Sequence, residues 1–234
     1  MENRPAEEDE HEAACARVVS QFSQLWLRSY VGSKLRRDPA YPAAYELLRD
    51  LSEPILDVGC GIGLLGFYLR ERGCRHPLLG LDLDARKIEQ GQRIAQAHYA
   101  DVDLRYQDVQ QALPEFSGNI VLFDVLHYLP LAEQTTLLMQ LADCISPGGL
   151  LVLRDCPRDN RPRFWMTYVA EKFAQIVSWN LNTSLHFPSP EKIMEPFRGD
   201  EFERESRPLW GKSPFNNYLF TFRRRLSATV PVSE

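Results

Sequence analysis

Along this chain, short apolar runs alternate with longer stretches in which apolar residues recur every three to four positions. Ile55 to Val58, Pro77 to Asp84, Ile120 to Phe123 and Leu150 to Leu153 have the length and character of buried strands. Val102 to Asp108 alternates apolar with polar, as a half-buried strand does. Helical patterns separate them: Leu64, Leu65, Phe67, Tyr68 and Leu69; a segment capped by Asp84 and running to about His98; and Leu131 to Ile145. Ahead of the first strand, residues 13 to 28 carry Phe22, Leu25 and Trp26 at helical spacing and predict one helix. Gly32 and Pro39 punctuate the next stretch, and Tyr41 to Leu51 predicts a second helix. Strands alternating with helices imply right-handed crossovers and a parallel sheet. After residue 156 the pattern changes. Residues 156 to 163 read as a basic loop, and Phe164 to Trp179 as a helix dense in aromatics (Phe164, Trp165, Tyr168, Phe173, Trp179). Ser189-Pro190 opens a short helix. Phe202 to Trp210 and Tyr218 to Arg223 predict two strands, joined through residues 211 to 217 as a hairpin. The chain has no internal repeat and no low-complexity run.

The candidate chemistry starts where the first strand meets the first helix, at Asp57-Val58-Gly59-Cys60-Gly61-Ile62-Gly63-Leu64-Leu65-Gly66. Glycines at such a turn let a ligand approach the backbone, and free N–H groups at the helix start are expected to face it. Two readings compete. Gly61-x-Gly63-x-x-Gly66 matches a dinucleotide fingerprint, with Asp82 about 20 residues on. Against it, Asp57 sets a carboxylate at the mouth of the strand. That suits a ligand carrying an ammonium group and repels a pyrophosphate.

The order of later residues favours the second reading. An acid ends the second strand (Asp82), another comes after the third (Asp108), Val125-Leu126-His127-Tyr128-Leu129 comes after the fourth, and Pro147-Gly148-Gly149 precedes the fifth. Over roughly residues 55 to 155 this series resembles the class I S-adenosylmethionine (SAM) methyltransferases. The resemblance implies a Rossmann-like α/β fold, with a seven-stranded, mostly parallel sheet of order 3-2-1-4-5-7-6 flanked by helices. It also implies that residues 1–52 form an N-terminal helical lid. Residues 53–234 would then be the SAM-binding domain, with a helical substrate-lid insertion at about 156–200.

The resemblance also assigns roles. Asp57, Gly59, Cys60, Gly61 and Gly63 flank the methionine portion of SAM. Asp82 accepts both ribose hydroxyls, which a two-oxygen carboxylate can do, and Leu83 packs on the adenine. Asp108 accepts the adenine amino group, with Val109 against the ring; a helix cap is the plainer reading of that acid. Phe123 and Asp124 lie beside the reacting centre, Asp124 as a positioning group. His127 is the candidate general base, since an imidazole titrates near neutral pH, though a histidine there can also serve only local packing. Tyr30 and Lys34, in a basic string before the first strand, are placed to meet the SAM carboxylate. Where many relatives carry an Asp before strand four, this chain has Gly118, at the far end from the site. Asp124, Asp155, Asp159 and Asn160 match a magnesium site only superficially, so no metal is expected.

Composition then narrows the acceptor. The 234 residues carry a net charge of −5, with Glu7, Glu8, Asp9, Glu10 and Glu12 near the start. Such a balance argues against nucleic acid as partner, and no apolar run approaches a membrane span. The acidic start is no secretory signal, and five cysteines without a paired spacing suit reduced thiols in a cytoplasmic setting. Cys60 reads as a small residue tolerated in the loop rather than a nucleophile. The aromatic stretch from Phe164 suggests a lid over a small aromatic or lipophilic acceptor, with ordinary core packing as the alternative. The runs Tyr30-Val31-x-x-Lys34-Leu35-Arg36-x-Asp38-Pro39-x-Tyr41 and Gly211 to Phe220 resemble methyltransferases of bacterial aryl-polyene pigment clusters, which would imply a hydroxyaryl precursor. The expected activity is methyl transfer from SAM, releasing S-adenosylhomocysteine (SAH). A protein side-chain methyltransferase and a non-catalytic SAM-binding regulator are the alternatives.

Overall fold

The structure is a computed structural model and describes residues 4–159, 161–177, 184–211 and 213–226, with the backbone alone for 4–5 and 171–177. Three helices come first: α1 (Arg4–Ser20), α2 (Leu25–Arg37) and α3 (Ala40–Leu48). The alternating part comes next as β1 (Ile55–Val58), α4 (Leu64–Glu71), β2 (Leu78–Asp82), α5 (Ala85–His98), β3 (Val102–Tyr106), β4 (Asn119–Phe123), a single 3₁₀ turn (Leu126–Tyr128), α6 (Leu131–Cys144) and β5 (Leu150–Asp155). The last part is α7 (Pro162–Val177), α8 (Pro190–Met194), β6 (Phe202–Pro208) and β7 (Tyr218–Arg224). The expected sheet is present: seven strands in the order β3-β2-β1-β4-β5-β7-β6. The first five strands run parallel, and β7 is antiparallel to both of its neighbours.

Strand pleating divides the core into two layers. Ile55, Val121, Leu150 and Val152 face the layer made by α1 to α5. Leu56, Val58, Leu122, Leu151 and Leu153 face the layer made by α6 and α8. The first three helices share the first layer with β1: Ala14, Val18, Val31, Leu35, Ala44 and Leu48 are fully buried there.

One expected helix is two. The stretch 13 to 28 breaks at residues 21–24, where Gln21 N–H bonds Val18 O (3.1 Å) and Phe22 N–H bonds Val19 O (3.2 Å). The break buries the Phe22 ring and turns α2 back against α1. Gly32 then lies inside a helix instead of ending one, because a Cβ there would stand 3.3 Å from Val19 Cγ2. The second helix ends at Leu48, three residues earlier than expected. The aromatic helix is present as α7, but the Phe173 side chain and all of Trp179 lie outside the described residues. Gly118 has its own reason: a Cβ there would run into the Pro54 carbonyl oxygen.

Arg70 fastens the lower edge of this layer. It is 2% exposed. Its guanidinium donates to Cys74 O (2.9 Å), His76 O (2.5 Å) and Asp101 O (3.2 Å), and pairs with the Asp101 carboxylate (2.8 Å). Removing it strands three carbonyls that the turn after α4 cannot offer to water without opening. Arg70→Met should therefore lower unfolding free energy by about 2–4 kcal/mol in a urea titration. A change below about 0.5 kcal/mol would mean that these carbonyls find water in the folded state.

Candidate active site

The glycine loop between β1 and α4 is built from left-handed backbone. Gly59, Gly61 and Gly63 have φ of 76°, 60° and 82°. At Gly59 and Gly63 a side chain would also collide, with Val125 and Leu104 respectively. At Gly61 a Cβ would meet nothing within 4 Å, so the loop opens to a ligand there.

Four amides of this loop are engaged, whereas among the described residues no acceptor meets the N–H groups of Ile62, Leu64 and Leu65 at the helix start. Gly59 and Cys60 N–H both donate to Leu81 O (2.8 and 3.0 Å), and Gly63 N–H donates to Cys60 O (3.0 Å). Gly61 N–H donates to Asp82 Oδ2 (2.8 Å), while Asp84 N–H donates to Oδ1 (2.8 Å). Asp82, at the end of β2, thus holds the loop in place. Each of its oxygens keeps a lone pair for a ligand hydroxyl. Cys60 is buried against Gly80, and burial raises its thiol well above the ordinary range, so it is no nucleophile.

Asp57 is the unusual group. It is 3% exposed, and among the described residues no donor reaches its carboxylate. Burial, then the neighbouring Asp82, pushes its pKa up to about 7. Leu83 stands 59% exposed beyond Asp82. Asp108 closes its own turn, accepting from Gln110 N–H and Gln111 Nε2 (both 3.0 Å), next to a half-buried Val109.

The ends of β4 and β5 carry a second construction that sequence reasoning missed. Arg154, on β5, is 4% exposed. It pairs with Asp38 before α3 and with Asp124 after β4, donating through Nε to Asp124 Oδ1 at 2.9 Å, and its guanidinium lies 5.2 Å from the Phe123 ring. Burial alone would lower its pKa, but Asp124 and Asp38 outweigh that and hold the charge. Asp124 has φ of 57°, the one positive φ outside glycine among the described residues. A lone arginine in the apolar run Leu150 to Asp155 is the signal that could have revealed this group.

A cavity of about 480 Å³ opens beside it, lined by Tyr30, Ser33, Lys34, Asp38, Asp124, Arg154, Thr167, Phe215 and Asn217. The two sequence runs at 30–41 and 211–220 meet here, and a Cβ at Gly211 would lie 3.2 Å from Pro39 Cγ. Asn216 ties the hairpin loop to α7: its N–H donates to Thr167 Oγ1 (2.8 Å) and its Nδ2 to Pro157 O (3.2 Å). Tyr41 and then Tyr30 hold the Lys34 ammonium above the usual lysine range, despite opposing desolvation.

His127 lies elsewhere. It is 2% exposed, its Nδ1 hydrogen-bonds Asp155 Oδ1 (2.8 Å), and its ring stacks on Phe187 (5.4 Å, 9°). Asp155 also accepts from Leu126 and Cys156 N–H (3.0 and 2.7 Å). Asp155 and Arg154 are neighbours on one strand, so the pleat sends them to opposite faces. The His127–Asp155 pair sits on the α6 side and the cavity on the α2 side. No cluster of three or more His, Cys, Asp or Glu able to hold a metal exists among the described residues; Asn160 lies outside them. No helix among the described residues is long and apolar enough to cross a membrane.

Known proteins place this arrangement. The family model described as a methyltransferase domain matches residues 55–149, from β1 to the start of β5. Over these residues the chain is similar to a methyltransferase domain. The ribosomal protein L11 methyltransferase of Burkholderia vietnamiensis is 31% identical over 101 residues, 43% of this chain. The chain spans 31% of that relative's own length. Magnesium protoporphyrin IX methyltransferase from Synechocystis PCC 6803, solved with bound SAH, superposes with a TM-score of 0.63 at 17% identity, covering 89% of this chain and 92% of that one. The [4+2]-cyclase SpnF superposes with a TM-score of 0.61 at 15% identity, over 85% and 82% of the two chains. At such identities the likeness speaks for the fold alone.

The buried Asp57 makes stability depend on pH with an unusual sign. An unfolded Asp loses its proton near pH 4, the folded one at about 7. Between these values the folded chain holds a proton that the unfolded chain does not, so stability falls as pH rises through the window and is level above it. Without ligand, the stability of Asp57→Asn relative to wild type should rise by on the order of 2–4 kcal/mol between pH 4.5 and pH 8. Urea titrations of both proteins at the two pH values check this. An equal difference at both would show that Asp57 ionises normally.

Proposed function

We propose that this chain transfers a methyl group from SAM to a small molecule held in the cavity between α2, β5, α7 and the β6–β7 loop. The observation that carries the reading is the buried, donor-free Asp57 carboxylate beside a glycine loop that opens at Gly61. An ammonium group is the ligand chemistry that such a carboxylate lacks. Asp57 would hold the cofactor's amino group, and Asp82 its ribose hydroxyls. Leu83 and Val109 would enclose the adenine, with Asp108 at its amino group. Gly59, Cys60, Gly61 and Gly63 would contribute closeness of backbone rather than hydrogen bonds. Phe123 and Asp124 would form the boundary between cofactor and acceptor.

When bound, SAM supplies a methyl group already activated by a positive sulfur. The chain's own task is then alignment and exclusion of water. Arg154 fixes Asp124 and thereby the floor of the cavity, while α2 and the hairpin loop wall it in. A cavity of about 480 Å³ suits a small molecule. That size supports the small-molecule reading over a folded protein acceptor. His127 is better placed to position the segment at residues 184–189 than to take a proton from the acceptor. Its ring is stacked on Phe187, and His186 N–H donates to its backbone carbonyl (2.8 Å).

Two outcomes are expected. Calorimetric titration should give SAH binding and no NAD binding, and Asp82→Ala should weaken SAH by roughly ten- to a hundredfold. Tighter binding of NAD than of SAH would sink the proposal. For His127, the Gln variant should keep turnover within about threefold while Ala lowers the melting temperature. A base would instead lose about 10²–10⁴-fold in kcat in both variants, with partial rescue at high pH.

A further inference from the structure

The cavity's hydrogen-bonding groups are unevenly used. Tyr30, Ser33 and Lys34 share one face of α2, being three and four residues apart. Among the described residues, none of the three side chains donates to another protein group, nor does the Asn217 amide, and no carboxylate lies within ion-pair distance of the Lys34 ammonium. The other donors are engaged. Arg154 is taken by Asp38 and Asp124, and Thr167 donates to Arg163 O (3.0 Å) while accepting from Asn216 N–H (2.8 Å). The remaining walls include two aromatic rings, Tyr30 and Phe215. A row of two hydroxyls and an ammonium beside aromatic walls is complementary to a carboxylate on a flat apolar body. A carboxylate offers two oxygens with about four lone-pair positions, and charge-assisted bonds to it are the strong kind.

We propose that Lys34, with Tyr30 and Ser33, binds a carboxylate of the methyl acceptor, which is therefore a small anionic molecule with a planar apolar body. The inference rests on the proposed methyl-transfer reading. A carboxylate is also present on SAM itself. The cavity's described walls favour the acceptor, because none of them comes from the β1–α4 loop that would hold the methionine portion.

Calorimetric titrations with trans-cinnamate and 4-hydroxycinnamate, each against its primary amide, test this with and without saturating SAH. The acids should bind wild type about tenfold or more tighter than the amides. Lys34→Gln should reduce that preference to within about twofold, leaving SAH affinity and melting temperature unchanged. Lys34→Arg should retain most of it. Amides binding as tightly as acids, or no acid binding at all, would overturn the inference. So would a tenfold loss of SAH affinity in Lys34→Gln, since the ammonium would then belong to the cofactor's carboxylate. Failure of wild type to bind SAH would instead refute the methyl-transfer reading, whatever the acids do.

Discussion

Everything around the cavity depends on the guanidinium of Arg154. A charge buried to this degree on an interior strand is costly unless it is paired and hydrogen-bonded. Here it meets two carboxylates from distant parts of the chain, Asp38 ahead of α3 and Asp124 after β4. The pairing converts a desolvation cost into a geometric constraint. The N-terminal helices cannot move away from the carboxyl ends of β4 and β5 without leaving a buried charge unpaired. It also explains how Asp124 holds a left-handed backbone, which costs a non-glycine residue of order 1–3 kcal/mol. The side chain is clamped, so the backbone goes with it. Alignment of two reactants needs a floor that does not shift, and this group supplies one.

The cofactor side is built on another principle. Its loop engages the amides of Gly59, Cys60, Gly61 and Gly63, through Leu81 O, Cys60 O and the Asp82 carboxylate. Beside them stands the Asp57 carboxylate, 3% exposed. A loop that offered free N–H groups would favour an anion, as phosphate-binding loops do. A loop that engages its glycine amides and presents Asp57 favours a cation beside that carboxylate. The same glycine spacing can therefore serve opposite ligands, and the hydrogen bonding of the turn distinguishes them where the spacing alone does not.

Much of this was legible in the sequence. The positions of most parallel strands came from apolar runs, because a parallel sheet buried on both faces leaves a nearly continuous apolar signature, while the strand order came from the family resemblance carried by Asp57, Asp82 and Asp108. The less legible parts depend on contacts between distant segments. The break at residues 21–24 is set by where Phe22 can be buried, which no local period encodes. The Asp38–Arg154–Asp124 group joins residues up to 116 positions apart, and in sequence each is an ordinary charged residue. The runs at 30–41 and 211–220 stood out by resemblance, with no chemistry attached until folding set them on one cavity. The engaged amides could not be read either, since they depend on how closely β2 approaches the turn.

The last constraint is the pleat of β5. Arg154 and Asp155 are adjacent, both buried and both ionic, yet they serve opposite faces of the sheet. Asp155 gathers His127 and two backbone amides on the α6 face, and Arg154 gathers two carboxylates on the α2 face. A histidine after strand four invites a catalytic role when only sequence is in view. The pleat separates it from the cavity that α2 and the hairpin loop enclose, and it turns Arg154 towards that cavity, whose other walls include Asp38, Asp124 and Lys34. The described walls of that cavity contain no imidazole. This fold also hosts a cyclase, so what a chain does with it is decided by the residues at these strand ends.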